Sequence, residues 1–543
     1  MTRLQLRDPV SPDDIVATIG EPEPGKEIPN ADKLSPAEDL SNSFSEHPVK
    51  RVVHLVVQLP ARREEQAKRV PSGLSAHLDV AAGRVGYLKN NKRAAPSSAG
   101  QSSVFAERQE KPDERIECNR PPSTAPATPP TLLHPVFGEF LDMCTSGNVT
   151  AEDHDFALNL SRAMSLFYHL ERGRAEKIRE IFQQYGVFFN CDEIENTRYM
   201  TDGDILLKGF RYALLEVKNE IGHKGAEPYA QAALYYLESN RPHAAKWAHS
   251  VLPCLIVIVF GSSYFWFSTK RKCSKSRMFS LGPYISFAAA TWNVRPTVQP
   301  LSVCLPMHYH SSDTSMRCTV ARHLAAFRAT VRKLAAYYDA LPPARLSPLE
   351  GELPPYPNSF TSLLDNTVQN FDYMRRAIDN KLLFVGRLSD ERTVCIKFVR
   401  RYSDEAHKCC AQLGFAPQLV GFESLPGGWS MVIMDWLDSD EWSPLDETEI
   451  TRGDIDTLKS NIILFHQRGY GHGDLRGTNI LVSKSGPKHY MIVDFDWAGK
   501  LGFVRYPMNV NKVDIWRPDS VTDEALIMAD HDVEMLDHLY PKL

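Results

Sequence analysis

Short apolar runs alternate with polar turns in the last third of the chain. The segments "NKLLFVGRL" and "TVCIKFVRR" are separated by the polar "SDER", a pattern that predicts a β-hairpin. A helix is predicted to begin at Ser403, with Glu405 in its first turn, and to end before Gly414. The segment "PQLVGFESLPGGWSMVIMDWL" predicts two more strands, the second ending at Asp435, and 446–468 reads as a helix. These elements indicate a folded region over 358–543.

A second set of apolar patterns occupies the middle of the chain. "DHDFALNLSRAMSLFYHLERGRAEKIREIFQQYG" repeats apolar residues every three or four positions, as a helical segment does. Two strand-like runs in "TDGDILLKGFRYALLEVKNEIG" follow, then the helical "EPYAQAALYYLES" and the apolar strands "PCLIVIVFG" and "GPYISFAAATW". The α-β-β-α-β order predicts an α/β region over 131–340, closed by a helix near 320–338.

Low-complexity stretches separate these regions from the rest. Residues 1–130 contain "PSSAGQSS" and "RPPSTAPATPPT" and show few sustained apolar periods, which predicts a mostly disordered segment with one isolated strand at "RVVHLVVQL". The proline-rich 341–357 reads as a linker.

Composition and charge bound the class of protein. With 43% apolar residues among 543, the chain can bury the cores of several domains. A net charge of −5 gives no overall attraction to nucleic acid or anionic membranes. Ten cysteines without a CxxC pair and no apolar segment at the start favour a reduced, intracellular protein, cytoplasmic or nuclear.

One apolar segment leaves a membrane location open. Residues Val251–Thr269 are long and apolar enough to suggest a span, and the basic "KRK" follows them. A span would separate the α/β region from its own last strands. An insertion near 251–281, or translated intron sequence, is therefore the preferred interpretation.

The spacing in "HGDLRGTN" and "VDFDWAG" carries the clearest chemistry. These segments resemble the catalytic loop and the metal-binding Asp of the protein-kinase-like superfamily. The resemblance implies an α+β fold with an abridged bilobal architecture over 358–543, and ATP and Mg²⁺ as cofactors. It also implies that Asp474 acts on the acceptor hydroxyl, while Asn479 and Asp494 bind the metal.

Other residues follow from the same resemblance. Lys397 lies inside a strand, where a lysine is costly unless it meets an anion such as a phosphate. Glu405 is the carboxylate expected to orient it. Arg476 stands where many protein kinases carry a lysine and is expected to support the transferring phosphate. Asp435 marks the hinge at which the nucleotide would bind.

The sequence also departs from that family. Gly473 replaces the arginine that usually meets a phosphorylated activation loop, and there is no GxGxxG before Lys397. Asp496 replaces the usual glycine, as in aminoglycoside- and choline-kinase-like relatives, where it adds a metal ligand. The first expectation is a protein (Ser/Thr) kinase-like phosphotransferase. A small-molecule phosphotransferase and an inactive ATP-binding scaffold remain alternatives.

The α/β region carries a second, shorter pattern. Asp204, Glu216-x-Lys218 and the helical Gln231 are similar to the PD-(D/E)xK nuclease-like fold, and the combination over 131–543 resembles fungal Crinkler-related proteins. That resemblance implies a Mg²⁺-dependent nuclease and a nucleic-acid partner. Its alternative is a strand that ends in a solvated charge pair.

Overall fold

The computed structural model describes most of the chain after residue 79. The described residues are 2–10, 31–34, 53–58, 80–122, 128–219, 225–261, 263–265, 279–281, 283–310, 312–342, 352–379 and 381–540. They fall into two compact units, Met1–His77 and Leu78–Leu543.

The first unit contains a small antiparallel sheet. Its strands are β1 (Thr2–Val10), β2 (Ala31–Leu34) and β3 (Val53–Gln58), in the order β2-β1-β3. The strand predicted near 51–59 is therefore present, but it pairs with β1 instead of standing alone.

The second unit mixes helices and strands, as the predicted α+β class requires. Its α-helices are α1 (Val80–Asn90), α2 (Pro96–Ala99), α3 (Ser102–Glu110), α4 (Pro130–Leu133), α5 (Pro135–Ser146), α6 (Ala151–Met164), α7 (Glu171–Gln184), α8 (Pro228–Asn240), α9 (Thr314–Ala340), α10 (Asp404–Gln412), α11 (Arg452–Gln467) and α12 (Ala529–Leu539). Its strands are β4 (Gly203–Leu207), β5 (Phe210–Lys218), β6 (Cys254–Phe260), β7 (Ser263–Phe265), β8 (Phe279–Leu281), β9 (Tyr284–Trp292), β10 (Pro296–Pro300), β11 (Leu305–Pro306), β12 (Ser359–Thr361), β13 (Val368–Arg376), β14 (Leu383–Leu388), β15 (Thr393–Val399), β16 (Leu419–Leu425), β17 (Trp429–Asp435), β18 (Trp442–Pro444), β19 (Tyr470–Gly471), β20 (Ile480–Ser483), β21 (Tyr490–Ile492) and β22 (Gly499–Lys500). Short 3₁₀ turns span Leu445–Glu447 and Gly477–Asn479.

The α/β region is built on one mixed sheet in the order β10-β9-β6-β5-β4, with β11 on β9. Strands β5 and β6 run parallel, and the other pairs are antiparallel. Every residue of β6 is buried, because a central strand with a parallel neighbour is covered on both faces. Helix α9 packs along α5 and α6 and closes this core.

The predicted disorder of 1–130 is wrong for its last part. Helices α1 and α3 place Tyr87 and Phe105 in the core of the α/β region. The buried Arg84 side chain donates to the backbone carbonyls of five residues: Ala244, Trp247, Ser250, Trp292 and Asn293. These helices are stabilised by docking and show little amphipathic periodicity of their own, so the sequence pattern missed them.

The candidate membrane segment forms part of this core. Its first half is the buried central strand β6, and 266–278 lie outside the described residues. None of the helices in the described parts of the chain is long and apolar enough to cross a membrane.

The C-terminal region begins with an antiparallel sheet in the order β12-β13-β14-β15-β17-β16. One face carries a cluster that includes Phe384, Ile396 and Ile433, and this cluster also takes in Leu132 from α4. The opposite face carries Cys395 and Leu419, among others. Because side chains alternate along a strand, Lys397 lies on the same face as Cys395.

The remaining elements lie beyond this sheet. Helices α11 and α12 pack on each other and share a core with the short strands β20 and β21. The predicted linker is partly ordered: Leu353 is buried and exchanges two hydrogen bonds with the Asn293 side chain, and the Tyr356 N–H donates to Leu132 O. The two predicted regions therefore belong to one compact unit.

Candidate active site

Lys397 is the centre of the first candidate site. It extends from β15 and its Nζ lies 2.6 Å from Asp494 Oδ1 and 2.5 Å from Asp496 Oδ1. Asp494 follows β21 and has a φ of 72°, a left-handed conformation that non-glycine residues adopt at a cost of about 1–3 kcal/mol. The side chains of Asp494 and Asp496, the two acidic residues of "DFD", therefore both contact the ammonium group of Lys397.

The pKa values of the two carboxyl groups are shifted in opposite directions. Burial disfavours the charged form of Asp494, but the ammonium of Lys397 outweighs it and holds the pKa of Asp494 at about 2. Burial, together with the charge of Asp494, raises the pKa of Asp496 to about 7. The single ammonium group of Lys397 does not stabilise both carboxyl groups in their ionised form. A second positive charge would favour ionisation of both.

Glu405 does not orient Lys397, so that expectation is wrong. Its carboxylate is exposed and pairs with Lys500 Nζ at 3.1 Å. Helix α10 begins after its N-cap residue Ser403, which places Ala406 and His407 on the buried face and Glu405 on the outer one. In its place the Tyr402 ring centre lies 5.6 Å from Lys397 Nζ.

Tyr402 is itself held by a buried histidine. Its hydroxyl lies 2.7 Å from His407 Nδ1, and the His407 ring stacks on Phe495 with centres 4.6 Å apart. Burial lowers the pKa of His407 to about 4, so this imidazole is neutral. The aromatic residue between the two acidic residues of "DFD" is thereby fixed against α10.

Asp474 lies in a short loop whose backbone is held by hydrogen bonds to a buried aspartate. The buried Asp532 accepts the N–H groups of His472 and Gly473, at 2.8 and 2.7 Å. Its Oδ2 also lies 3.0 Å from His466 Nε2. Asp532 comes from α12, which the sequence places far from the loop, and no local pattern singles it out.

Both oxygens of Asp474 are engaged. Arg517 Nη2 donates to Oδ1 at 2.6 Å, Asn479 Nδ2 donates to Oδ2 at 3.0 Å, and Arg476 Nε lies 3.3 Å from Oδ2. Arg517 is a residue that the sequence did not indicate, since it stands 43 positions after its partner.

The loop that carries Asp474 and the segment that precedes Asp494 are joined by two contacts. The Val493 N–H donates to Asn479 O at 2.9 Å, and His472 Nε2 lies 3.1 Å from Val493 O. Because Asn479 uses its amide nitrogen on Asp474, its Oδ1 is the atom left for a cation. Asp435 ends β17 opposite Val394 of β15, and burial raises the pKa of its carboxyl.

The α/β region contains a second cluster of charged side chains. Glu216 and Lys218 extend from β5, with Lys218 Nζ 2.8 Å from Glu216 Oε1 and 3.1 Å from Glu171 Oε1. The Glu216 side chain is 1% exposed, and neither of its carboxylate oxygens has a hydrogen bond within the described structure. Burial and the charge of Asp202 raise the pKa of Glu216 well above its usual range.

Asp202, which the sequence reasoning passed over, takes the place expected for Asp204. The register Gly203 with Leu215 puts Asp202 across from Glu216, and its Oδ2 accepts the Val217 N–H at 2.8 Å. Asp204 instead binds Thr201, at 2.6 Å, and Arg211. A two-residue shift along β4 keeps the same face, so the pattern alone did not separate the two.

Gln231 lies on the buried face of α8. Its Nε2 donates to Tyr235 at 3.4 Å, and its Oε1 is buried with no partner among the described residues. A cavity of about 680 Å³ opens beside Lys218, lined also by Glu171, Asn219 and Tyr229. The predicted Glu216, Lys218 and Gln231 thus lie on the neighbouring elements β5 and α8. Asp204 lies on the adjacent β4, but its side chain pairs with Arg211 and Thr201.

Neither cluster is a group of three carboxylate, imidazole or thiol ligands. Over the residues that the structure describes, no three His, Cys, Asp or Glu side chains are close enough to share a metal ion. Each cluster instead offers two carboxylates and one amide oxygen, which suits Mg²⁺ with several waters in its shell.

No family model matches the chain, and no curated protein sequence matches it. Among solved structures, the chain is similar to the Cydia pomonella granulovirus kinase PK-1, with 15% identity and a TM-score of 0.27 over 32% of this chain and 70% of that chain. It is also similar to the Rad53 kinase domain and SCD2 in complex with AMPPNP, with 15% identity and a TM-score of 0.19 over 24% of this chain and 51% of that one. Both neighbours are kinases.

Proposed function

We propose that the C-terminal region is an ATP- and Mg²⁺-dependent phosphotransferase of the kinase-like type, with a protein Ser/Thr hydroxyl as the first candidate acceptor. One observation carries the proposal: Lys397, whose side chain is 16% exposed, meets the two acidic residues Asp494 and Asp496, which adjoin the Asp474–Asn479 pair. A structural ion pair would need only one carboxylate.

The residues divide the work of phosphoryl transfer. Asp474 accepts the hydrogen of the acceptor hydroxyl, and Arg476 beside it faces the transferring group. Asn479, Asp494 and Asp496 would hold Mg²⁺, which would supply positive charge to the nucleotide phosphates. Lys397 would then pair with a phosphate, and the end of β17 at Asp435 would border the nucleotide.

The raised proton affinity of Asp496 supports a metal at this point. The Asp496 carboxyl is partly buried and lies beside the charge of Asp494, which together raise its pKa, and a divalent cation at this point would favour the ionised form of both carboxyl groups. Asp496 therefore suits the role of second carboxylate ligand. The resemblance to aminoglycoside- and choline-kinase-like proteins, in which an aspartate replaces the usual glycine, implies the same role.

The test is Mg·ATP binding and γ-phosphate transfer by the full chain. The full chain is needed because Leu132 contributes to the core under β15. Asp474→Asn is expected to keep nucleotide binding and lose at least about a hundredfold in transfer, and Asp494→Asn to lose metal-dependent binding as well. Asp456→Asn, an exposed aspartate on α11, is the matched control and leaves both unchanged.

Three outcomes separate the alternatives. Transfer to casein or to the chain itself supports a protein acceptor, whereas transfer to an aminoglycoside or choline, with no protein labelling, supports a small molecule. Nucleotide binding without transfer to any acceptor or to water supports an inactive ATP-binding scaffold. Absence of Mg·ATP binding contradicts the proposal.

A specific observation also favours metal-dependent phosphodiester hydrolysis by the α/β region. Glu216 has two buried carboxylate oxygens and Gln231 a buried amide oxygen that accept no well-formed hydrogen bond among the described residues, although Lys218 Nζ lies 2.8 Å from Glu216 Oε1. A cation or a water would stabilise buried oxygens of this kind. Asp202 and Glu216 would hold Mg²⁺, which would supply an activated water, and Lys218 would assist. Cleavage of single- or double-stranded DNA that survives Asp474→Asn and is lost in Glu216→Gln supports this function. Cleavage that is unaffected by Glu216→Gln contradicts it.

A further inference from the structure

Arg517 makes the shortest hydrogen bond to Asp474, yet it belongs to a different segment of the chain. Its side chain is 1% exposed, and its Nη2 lies 2.6 Å from Asp474 Oδ1. Nη1 donates to Gly473 O at 3.3 Å, and Nε donates to Asn511 O at 3.2 Å. The guanidinium also lies 4.6 Å from the centre of the Trp497 ring.

The segment that carries Arg517 is closed at its base. The Tyr506 N–H donates to Ala525 O, and the Ile527 N–H donates to Val504 O, both at 2.9 Å. Tyr506, Val521 and Ile527 form a small buried cluster under it. Arg517 is therefore held in place by a loop with its own hydrogen bonds and buried cluster, and by Trp497, which directly follows Asp496.

The bonding of Asp474 limits how an acceptor can approach it. A carboxylate offers about four acceptor positions on its two oxygens. Arg517 occupies one on Oδ1, and Asn479 and Arg476 meet Oδ2. One acceptor position therefore remains on each oxygen, beside Arg517 on Oδ1 and beside Asn479 on Oδ2, because Arg476 Nε lies close without a hydrogen bond. Arg517 thus fixes one oxygen of Asp474 and, with Asn479, the orientation in which the carboxylate can receive a hydroxyl hydrogen.

We propose that Arg517 is a positioning residue for phosphoryl transfer, which fixes the orientation of Asp474 from the loop that follows "DFDWAG". This inference rests on the proposed phosphotransferase function. Arginine suits the role because two separate nitrogens of its rigid planar fork donate to Asp474 and Gly473, a geometry that the single ammonium of a lysine does not have.

The experiment measures release of labelled phosphate from γ-labelled ATP, and labelling of casein, by full-length wild type, Arg517→Ala, Arg517→Lys and Arg505→Ala. Arg517→Ala is expected to lower kcat by about tenfold to a hundredfold with an unchanged KM for ATP. Arg517→Lys retains the charge but falls between the two. Arg505→Ala, an exposed arginine of the same segment that bonds Glu524 O, keeps wild-type rates.

Guanidinium ion distinguishes positioning from folding. At about 10–50 mM, too dilute to unfold a stable domain, it is expected to restore part of the Arg517→Ala rate and to leave Arg505→Ala unchanged. A purely structural role predicts a lower unfolding midpoint and no recovery. An Arg517→Ala rate equal to that of wild type overturns the inference, and a higher rate overturns it and identifies the contact as inhibitory.

The two proposals fail in different ways. An inactive wild type that also fails to bind Mg·ATP overturns the phosphotransferase function and this inference with it. An active wild type whose rate does not depend on Arg517 overturns this inference alone.

Discussion

The backbone N–H of Gly427 lies 3.0 Å from each carboxylate oxygen of Asp142, 285 positions earlier in the chain. Gly427 is at the turn between β16 and β17, and Asp142 is on α5. At the same place a Cβ on Gly138 would lie 2.5 Å from Pro426 O, so the helix and the turn approach as closely as glycine allows. Asp142 and Gly427 thereby fasten the α/β region to the sheet that carries Lys397.

The first prediction concerns the hydrophobic core that the α/β region shares with the same sheet. Leu132 is fully buried in the cluster beneath β14 and β15. We expect Leu132→Ala to lower the free energy of unfolding by about 2–5 kcal/mol, because it leaves a cavity in a core that the two regions share. Denaturant unfolding followed by tryptophan fluorescence measures the change. Leu364→Ala, at a site that is 57% exposed, is the control, and equal effects of the two substitutions would contradict the shared core.

The second prediction is a pH dependence at Asp496. Its pKa is raised to about 7 in the folded chain, so between its ordinary value and about 7 the folded state holds more protons than the unfolded state. Stability contributed by this carboxyl is therefore lost as pH rises through that window. We expect Asp496→Asn to flatten the decline in unfolding midpoint between about pH 4.5 and 7.5, the range set by that linkage.

Magnesium gives the same prediction a second measurement. Because the metal favours the ionised carboxylates, the rise in midpoint on adding Mg²⁺ should be larger above the pKa of Asp496, about 7, than below it. Asp496→Asn should reduce that difference. A Mg²⁺ effect independent of pH in the wild type would contradict the assignment of Asp496 as a ligand.

The third prediction concerns Gly473, the glycine that directly precedes Asp474. Gly473 has a φ of 80°, and a Cβ there would lie 2.6 Å from Ile527 Cδ1. We expect Gly473→Ala to destabilise the chain and to lower transfer by displacing Asp474. Gly469→Ala is the matched control, since its φ is 86° with no atom within 4 Å of the added Cβ. That substitution should cost only the strain of the left-handed backbone, about 1–2 kcal/mol. Equal losses in the two variants would show that crowding by Ile527 is unimportant.

The fourth prediction is that a candidate nuclease residue lowers stability. Glu216 is buried and its pKa is raised by burial, so its charged form becomes more costly as pH rises. We expect Glu216→Gln to raise the unfolding midpoint near pH 8 and to remove any stabilisation by Mg²⁺ at this site.

Glu238 provides the contrast for that experiment. It is also buried, but both of its oxygens accept hydrogen bonds from Arg241 at 2.8 Å. Glu238→Gln should therefore lower the midpoint, because it weakens a satisfied pair. A lower midpoint in both variants would indicate that Glu216 is a structural residue.

Local patterns were sufficient for most elements near the candidate sites. The hairpin β14–β15, the strands β16 and β17 and the helix α10 occur where apolar periodicity and capping residues predicted them. The same holds for β5, α8, β6 and β9 in the α/β region, and helix α9 contains the predicted 320–338. Strong periodicity over short distances needs no tertiary information, because it records which side of an element is buried.

Contacts between distant segments were beyond such patterns. Glu405 was expected on Lys397, but its place on the outer face of α10 depends on where that helix packs. The choice of Asp202 over Asp204 depends on the register of β4 against β5. Helices α1 and α3 are ordered by docking on a core whose other residues lie far along the chain.

The sequence by itself determined the order of Lys397, Asp474, Asn479 and Asp494 and the strands and helices that carry them, because spacing and periodicity are properties of neighbouring residues. Only the tertiary structure decided that Lys397 meets Asp494 and Asp496, that Arg517 and Asp532 hold the loop of Asp474, and that Leu132 completes the adjoining core. Each of these depends on two surfaces meeting across the fold, where burial and charge balance act over distances in space instead of along the chain.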